Sequence, residues 1–223
     1  MGHVIAIDGP AGAGKSTIAR RLAERLGYVF IDSGAMYRAV ALWALREDTG
    51  LDDAHRLEQL ANAAEIELLP LRKVRLNGED VSDAIRAPEV SVAASRVAAI
   101  GAVRRALVAK QKHMADHANV VMEGRDIGTV VFPEARVKIF LDADPLERVR
   151  RRAGEQPEVP AEQLAAQIAE RDDRDRHRAQ SPLVQAPDAV YLDSTGMTAE
   201  QVEEEILKLV RARTSNGKEM ASG

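Results

Sequence analysis

Five short, largely apolar runs punctuate the chain: Val4–Ile7, Tyr28–Ile31, Val120–Met122, Arg136–Asp142 and Asp188–Asp193. Such runs mark strands buried on both faces. Between them the period changes from two to 3.6. Ile18, Leu22 and Leu26 recur every four residues within Thr17–Leu26, as on one face of a helix. Ala35–Arg46, a stretch beginning near Pro145, Ala161 to about Arg178, and an amphipathic Thr198–Arg213 also read as helices. So does Pro88–Met114, with a break near Ile100-Gly101. Strands alternating with helices predict an α/β fold: a five-stranded parallel sheet with helices on both faces.

Two stretches interrupt that rhythm. Within residues 47–86, Glu65–Leu69 and Lys73–Leu76 are short alternating runs. Asn77-Gly78 then separates Val74–Leu76 from Glu79–Val81, a type I′ hairpin signal that predicts a small antiparallel insertion. Gly154–Pro160 carries two prolines and a glycine, and it divides residues 148–178 into two helical arms joined by a hinge. Residues 214–223 are polar and are expected to be a disordered tail, leaving a single domain over 1–213.

The most specific chemistry lies between the first strand and the first helix, in Gly9-Pro10-Ala11-Gly12-Ala13-Gly14-Lys15-Ser16. Strand, glycine-rich turn and helix form the context a GxxxxGK[ST] phosphate loop requires. Glycines let backbone N–H groups approach phosphate oxygens, and the helix N-terminus adds partial positive charge. Lys15 is expected on the β- and γ-phosphates and Ser16 on Mg²⁺. Glu123 and Asp142 both end strands, and either suits the carboxylate that holds a magnesium-bound water.

Composition narrows the partners. With 31 basic and 35 acidic residues in 223, the net charge of −4 offers no global attraction to nucleic acid. Aromatic content of 3% leaves little for base-stacking platforms. The absence of cysteine fits a reducing cytosol. No signal-peptide pattern and no run of 18 apolar residues occurs, so a cytoplasmic chain without a membrane partner is expected, as a monomer.

Arginines carry the argument further. Arg148, Arg151 and Arg152 share one helical face, and Arg171, Asp175 and Arg178 fall at i, i+4 and i+7 on another, with Arg174 beside them. Two arginine faces about a hinge suit a lid that closes over phosphates. Arg38, Arg125, Arg148, Arg152, Arg171 and Arg174 exceed what one triphosphate needs, which points to an acceptor that is itself a phosphate. A kinase for another small acceptor and a non-enzymatic nucleotide switch or RNA-binding module remain as rivals. The low aromatic content and the acidic balance weigh against the second.

Ile7–Pro10 with the phosphate loop, Asp32–Arg38, Gly124–Pro133, Val137–Asp142 and Glu170–Arg176 together resemble the bacterial cytidylate kinases, from about residue 4 to residue 210. The stretches at 32–38 and 124–133 are far more specific than the loop. The resemblance implies a P-loop nucleoside monophosphate kinase with a monophosphate-binding insertion at about 34–105 and a lid at about 148–178. It implies transfer of the ATP γ-phosphate to CMP or dCMP, with Mg²⁺. By matching position, Gly9, Pro10, Ala11, Gly12, Ala13, Gly14, Lys15, Ser16 and Thr17 are expected to hold ATP. Arg38 and Arg125 should hold the acceptor phosphate. Ser33, Ser95, Arg104, Asp126 and Arg178 should surround the cytosine, and Arg171 and Asp175 the acceptor sugar. Lys15, Arg125, Arg148, Arg152 and Arg174 are the expected catalytic set. A phosphate acceptor is already a nucleophile, so no strong general base is required.

Overall fold

The computed structural model describes residues 2–219, with side chains as far as Thr214. In chain order, the first elements are β1 (Val4–Asp8), α1 (Lys15–Leu26), β2 (Val29–Asp32), α2 (Ser33–Arg46) and α3 (Ala54–Ala63). Then come β3 (Ile66–Leu69), β4 (Lys73–Leu76), β5 (Glu79–Asp80), α4 (Pro88–Val97) and α5 (Gly101–Met114). The chain finishes with β6 (Val120–Gly124), β7 (Val137–Asp142), α6 (Pro145–Glu155), α7 (Ala161–His177), β8 (Val190–Asp193) and α8 (Ala199–Glu219). It divides into two compact units. One comprises the residues up to Phe30, Ala115–His177 and the residues from Ser181 on. The other comprises Ile31–Met114 with Arg178–Gln180.

The five-stranded sheet has the order β2-β6-β1-β7-β8. Its pairings are parallel: Ile5 sits between Val121 and Val137, and Leu141 lies opposite Leu192. In the first unit Ile5, Ile7, Val121, Ile139 and Leu141 form one core with Ile18 and Leu22 of α1 and Val202, Ile206 and Val210 of α8. Ala6, Val120 and Met122, which alternate with these along the strands, are buried too. Burial on both faces is why the strands read as continuous apolar runs rather than alternating ones. Gly9 ends β1 at φ 148°, and a Cβ there would stand 1.9 Å from the Leu141 carbonyl oxygen. Only glycine lets the loop leave the sheet so close to β7.

In the second unit α2, α3, α4 and α5 pack Met36, Val40, Leu57, Leu60, Val97 and Leu107 into a separate core. The three-stranded antiparallel sheet β3-β4-β5 stands where the alternating runs predicted one. Asn77 at φ 51° and Gly78 at φ 84° form the turn between β4 and β5. Positive φ at both central residues is the type I′ geometry that matches strand twist. The helix α3 was not predicted, although Asp53 caps it by accepting the Arg56 N–H and Leu57, Leu60 and Ala61 mark its buried side. The long helical reading at 88–114 resolves into α4 and α5, divided at 98–100.

Two boundaries differ from expectation. The helix α7 stops at His177, one residue short of Arg178. The helix α8 continues to Glu219, so the expected tail at 214–223 falls partly within it, and residues 220–223 lie outside the described residues. Among the described residues no helix is long and apolar enough to cross a membrane.

Candidate active site

The phosphate loop crosses from β1 to α1. Gly12 and Gly14 take positive φ, 76° and 88°, and Gly14 is the residue from which α1 begins. The Ser16 and Thr17 side chains at the helix start are exposed, whereas Lys15 is buried and its Nζ donates to the Pro10 carbonyl at 2.6 Å. Burial pushes the Lys15 ammonium down to about 7, and the Arg125 charge adds to that. Glu123 opposes the shift, Arg171 adds to it, and Asp172 opposes it more weakly. The loop lysine therefore shares its field with Arg125 and Arg171, two of the arginines that were expected on the acceptor.

Those arginines converge on one carboxylate. Arg125 follows β6, and its Nε donates to Asp175 Oδ2 at 2.9 Å. Arg171 Nε stands 4.0 Å from the same oxygen. Burial opposes the Arg125 charge, but Asp175 prevails and holds its pKa above the ordinary value. Asp126 is buried beside them in sequence. The loop that carries Arg125 and Asp126 is tied to the sheet by Asp8. Its carboxylate accepts the Ile127 N–H at 2.8 Å and the Gly128 N–H at 2.7 Å. Burial raises the Asp8 pKa to about 6, against the pull of those two bonds.

The hairpin of α6 and α7 meets the phosphate loop through Arg148. This guanidinium is buried, donating Nε to the Ala143 carbonyl at 3.1 Å and Nη1 to the Ala11 carbonyl at 3.1 Å and to Asp172. Arg151 reaches the Ala13 carbonyl at 3.2 Å and Ser194 Oγ at 2.9 Å. Arg152 pairs with Glu155 and Arg174 with Glu170, both more exposed.

In the second unit Asp32 caps α2, accepting the Ala35 N–H at 2.9 Å, and its other oxygen accepts from Arg38 Nη2 at 2.8 Å. Burial raises the Asp32 pKa, but Arg38 and the cap outweigh it, and the net shift is downward. Ser33 is buried at the first position of α2. Arg104, from α5, is buried and lies over the Tyr37 ring with its Cζ 5.4 Å from the centroid. Ser95 Oγ is buried and has no hydrogen-bond partner among the described residues. Arg86 donates to the Ser82 and Arg72 carbonyls at 2.6 and 2.8 Å. Burial lowers its pKa, with Arg72 and Arg38 adding to the effect, so three guanidinium groups crowd this end of the unit.

Comparison with known proteins decides the family. The cytidylate kinase family model matches residues 5–212. The chain belongs to the cytidylate kinase family. A cytidylate kinase of Solibacter usitatus (strain Ellin6076) is 62% identical over 98% of this chain and 96% of its own length. Another, of Desulforamulus reducens, is 53% identical over 92% and 96%. A gluconokinase from Sinorhizobium meliloti 1021 superposes with a TM-score of 0.51 at 16% identity, over 100% of this chain and 98% of that one, and so shares the fold. The protein is a phosphotransferase of the nucleoside monophosphate kinase type, an enzyme that phosphorylates CMP and belongs to an ATP-using family.

Within this cytidylate kinase the expected residues divide between the units. The first holds the phosphate loop, Arg125, Asp126, Arg148, Arg152, Arg171, Arg174 and Asp175. The second holds Ser33, Arg38, Ser95, Arg104 and Arg178. Two expectations change. Arg178 does not share a helix face with Arg171 and Asp175, because α7 ends before it: the Leu183 N–H turns back to the Asp175 carbonyl at 2.7 Å. Of the Arg148 donors, Nε and Nη1 are committed within the protein, to the Ala143 and Ala11 carbonyls and to Asp172. Sequence reasoning missed Asp8, Arg72, Arg86 and Asp172 as contributors, and gave Arg151 a place on the arginine face of the hairpin without a role of its own. For Asp172 a signal existed. It extends the buried stripe of Leu164 and Ile168 along α7, where a carboxylate needs a partner.

Proposed function

We propose that both CMP and dCMP serve as acceptors, with the donor held by Gly9–Thr17 and the acceptor phosphate by Arg38 and Arg125. The observation that carries this reading is the shared field of Lys15, Arg125 and Arg171 within one unit. A donor lysine that feels two further guanidinium groups suits a point where a second anion meets the γ-phosphate. Asp175 holds Arg125 in place and, with Arg171, faces the acceptor sugar. Ser33, Ser95, Arg104, Asp126 and Arg178 take the cytosine. Arg104 is braced on Tyr37, and the buried, unpartnered Ser95 hydroxyl suits a polar ring edge.

The residues present fit Mg²⁺. Magnesium takes few protein ligands and several waters and phosphate oxygens. Ser16 offers an exposed hydroxyl at the loop's end, and Glu123 a buried carboxylate whose charge Lys15 feels. Asp142 is the other candidate; its carboxylate accepts the Ala143 N–H at 2.8 Å and lies 4.0 Å from Arg148. When bound, the ion would neutralise charge on the β- and γ-phosphates. Lys15 orients the triphosphate, Arg125 and Arg171 lower the repulsion between donor and acceptor, and Arg152 and Arg174 add charge as the lid closes. No residue needs to remove a proton from the acceptor.

A panel of CMP, dCMP, UMP, AMP and shikimate, with ADP release as readout, tests the acceptor. CMP and dCMP should lead. Comparable release with UMP would refute the assigned cytosine pocket.

A further inference from the structure

We infer that Asp172 is a positioning residue for the donor site, latching the α6–α7 hairpin to the phosphate loop through Arg148. The inference rests on the reading of Gly9–Thr17 as the ATP site. Asp172 Oδ1 accepts the Ala11 N–H at 3.0 Å, and Oδ2 accepts from Arg148 Nη1. The same nitrogen donates to the Ala11 carbonyl at 3.1 Å. One ion pair, both members more than nine-tenths buried, thus holds the amide and the carbonyl of a single loop residue. Arg151 holds the carbonyl of Ala13. The packing is close as well. A Cβ on Gly12 would meet the Arg148 carbonyl oxygen at 3.0 Å and its Cβ at 3.1 Å.

The consequence follows from how a phosphate loop works. Its donors are backbone N–H groups, so affinity depends on the tilt of successive peptide planes. Gly12 and Gly14 have positive φ and no side chains, so neither can anchor the loop by its own contacts. Anchorage comes from outside, at Ala11 and Ala13. Removing Asp172 would free the Ala11 N–H and leave the Arg148 charge buried without its partner. The peptide planes from Ala11 to Gly14 would then sample orientations that do not face a phosphate. The pair also fixes the base of the hairpin, so any closing motion belongs to its distal part, around the non-helical 156–160 turn.

Three variants separate positioning from bulk stability. Asp172→Ala should raise the KM for ATP about ten- to a hundredfold, the range for a lost charge-assisted bond. The KM for CMP should stay within about twofold. Asp172→Asn keeps an acceptor for the Ala11 N–H and loses the charge on Arg148, so its KM for ATP should fall between those of wild type and Asp172→Ala. The double variant Arg148→Met with Asp172→Leu replaces the pair by apolar groups of similar size and guards against a failure to fold. It should melt near the wild-type temperature and still show the raised KM for ATP. Lys15→Met is run in parallel. If it loses transfer while the folded Asp172 variants keep a wild-type KM for ATP, the latch is wrong and the donor site stands. If Lys15→Met itself keeps full activity, the donor-site reading fails. A lowered melting temperature with unchanged KM for both substrates would assign the pair to stability alone and overturn the inference.

Discussion

The perturbed lysine makes a quantitative prediction about ATP binding. In the free protein Lys15 is lowered to about 7, first by burial and then by Arg125. At pH 8 a group with that pKa is only about one-tenth charged. The β- and γ-phosphates brought against Nζ favour the ammonium form, so nucleotide binding must draw a proton onto Lys15. The uptake should approach ~0.9 proton per ATP at pH 8 and fall to about half at pH 7. Affinity should weaken by up to about tenfold per pH unit above 7, until the bound-state pKa is reached. Calorimetric titration of MgATP in two buffers of different ionisation enthalpy measures the uptake directly. Asp8, raised to about 6, is already ionised at pH 8 and contributes little. The variant Lys15→Met should bind weakly and without proton uptake. Equal uptake in Lys15→Met and wild type, or none in wild type at pH 8, would refute the assignment. The sign for folding follows from the same shift. Between pH 7 and the ordinary lysine range the unfolded chain binds more protons at this site, so Lys15 makes the free protein's stability rise with pH there.

Arg178→Met should weaken CMP use about 10- to 150-fold, from a charge-assisted bond worth ~1.5–3 kcal/mol, and leave the KM for ATP nearly unchanged. A raised KM for ATP alone would move this arginine to the donor. Asp126→Asn should narrow the gap between CMP and UMP, since an amide can donate to uracil O4 where a carboxylate cannot. Unchanged selectivity in steady-state kinetics would count against Asp126 as the partner of the cytosine amine. Asp8, raised from its ordinary value to about 6, favours the fold more when protonated than when ionised. That advantage is lost as pH rises through about 4 to 6, so the melting temperature of wild type should fall relative to that of Asp8→Asn across that window. A difference independent of pH would refute the shift. Trypsin should cut near the exposed Arg150 more slowly with CMP and a non-hydrolysable ATP analogue bound than in the free protein. Equal rates would argue against a closing hairpin.

What was legible in the chain was local. The phosphate loop, the type I′ turn at Asn77-Gly78 and the break near Ile100-Gly101 are each determined by neighbours in sequence, and the structure places each where its spacing put it. The pairing of buried charges was not legible, because it is set across the fold. Asp172 lies 161 residues from Ala11, and Asp8 lies 119 from Ile127. A carboxylate in an arginine-rich run reads as a solvated helix face unless its place on an apolar stripe is noticed, and Asp172 has that place after Leu164 and Ile168. The oversight bears on the count of arginines from which a phosphate acceptor was inferred. Setting Arg148 aside, because its Nε and Nη1 already donate to Ala143, Ala11 and Asp172, lowers that count by one. The inference survives the subtraction. Arg125 and Arg171 share the single carboxylate of Asp175, and Arg38, Arg72 and Arg86 are grouped around Asp32. In the second unit the three guanidinium groups outnumber Asp32 and Asp83, whereas in the first Arg125 and Arg171 are met by Asp175, Glu123 and Asp172. Like charges gathered at Arg38, Arg72 and Arg86 repel one another, and an acceptor that arrives as a phosphate monoester supplies the opposite charge.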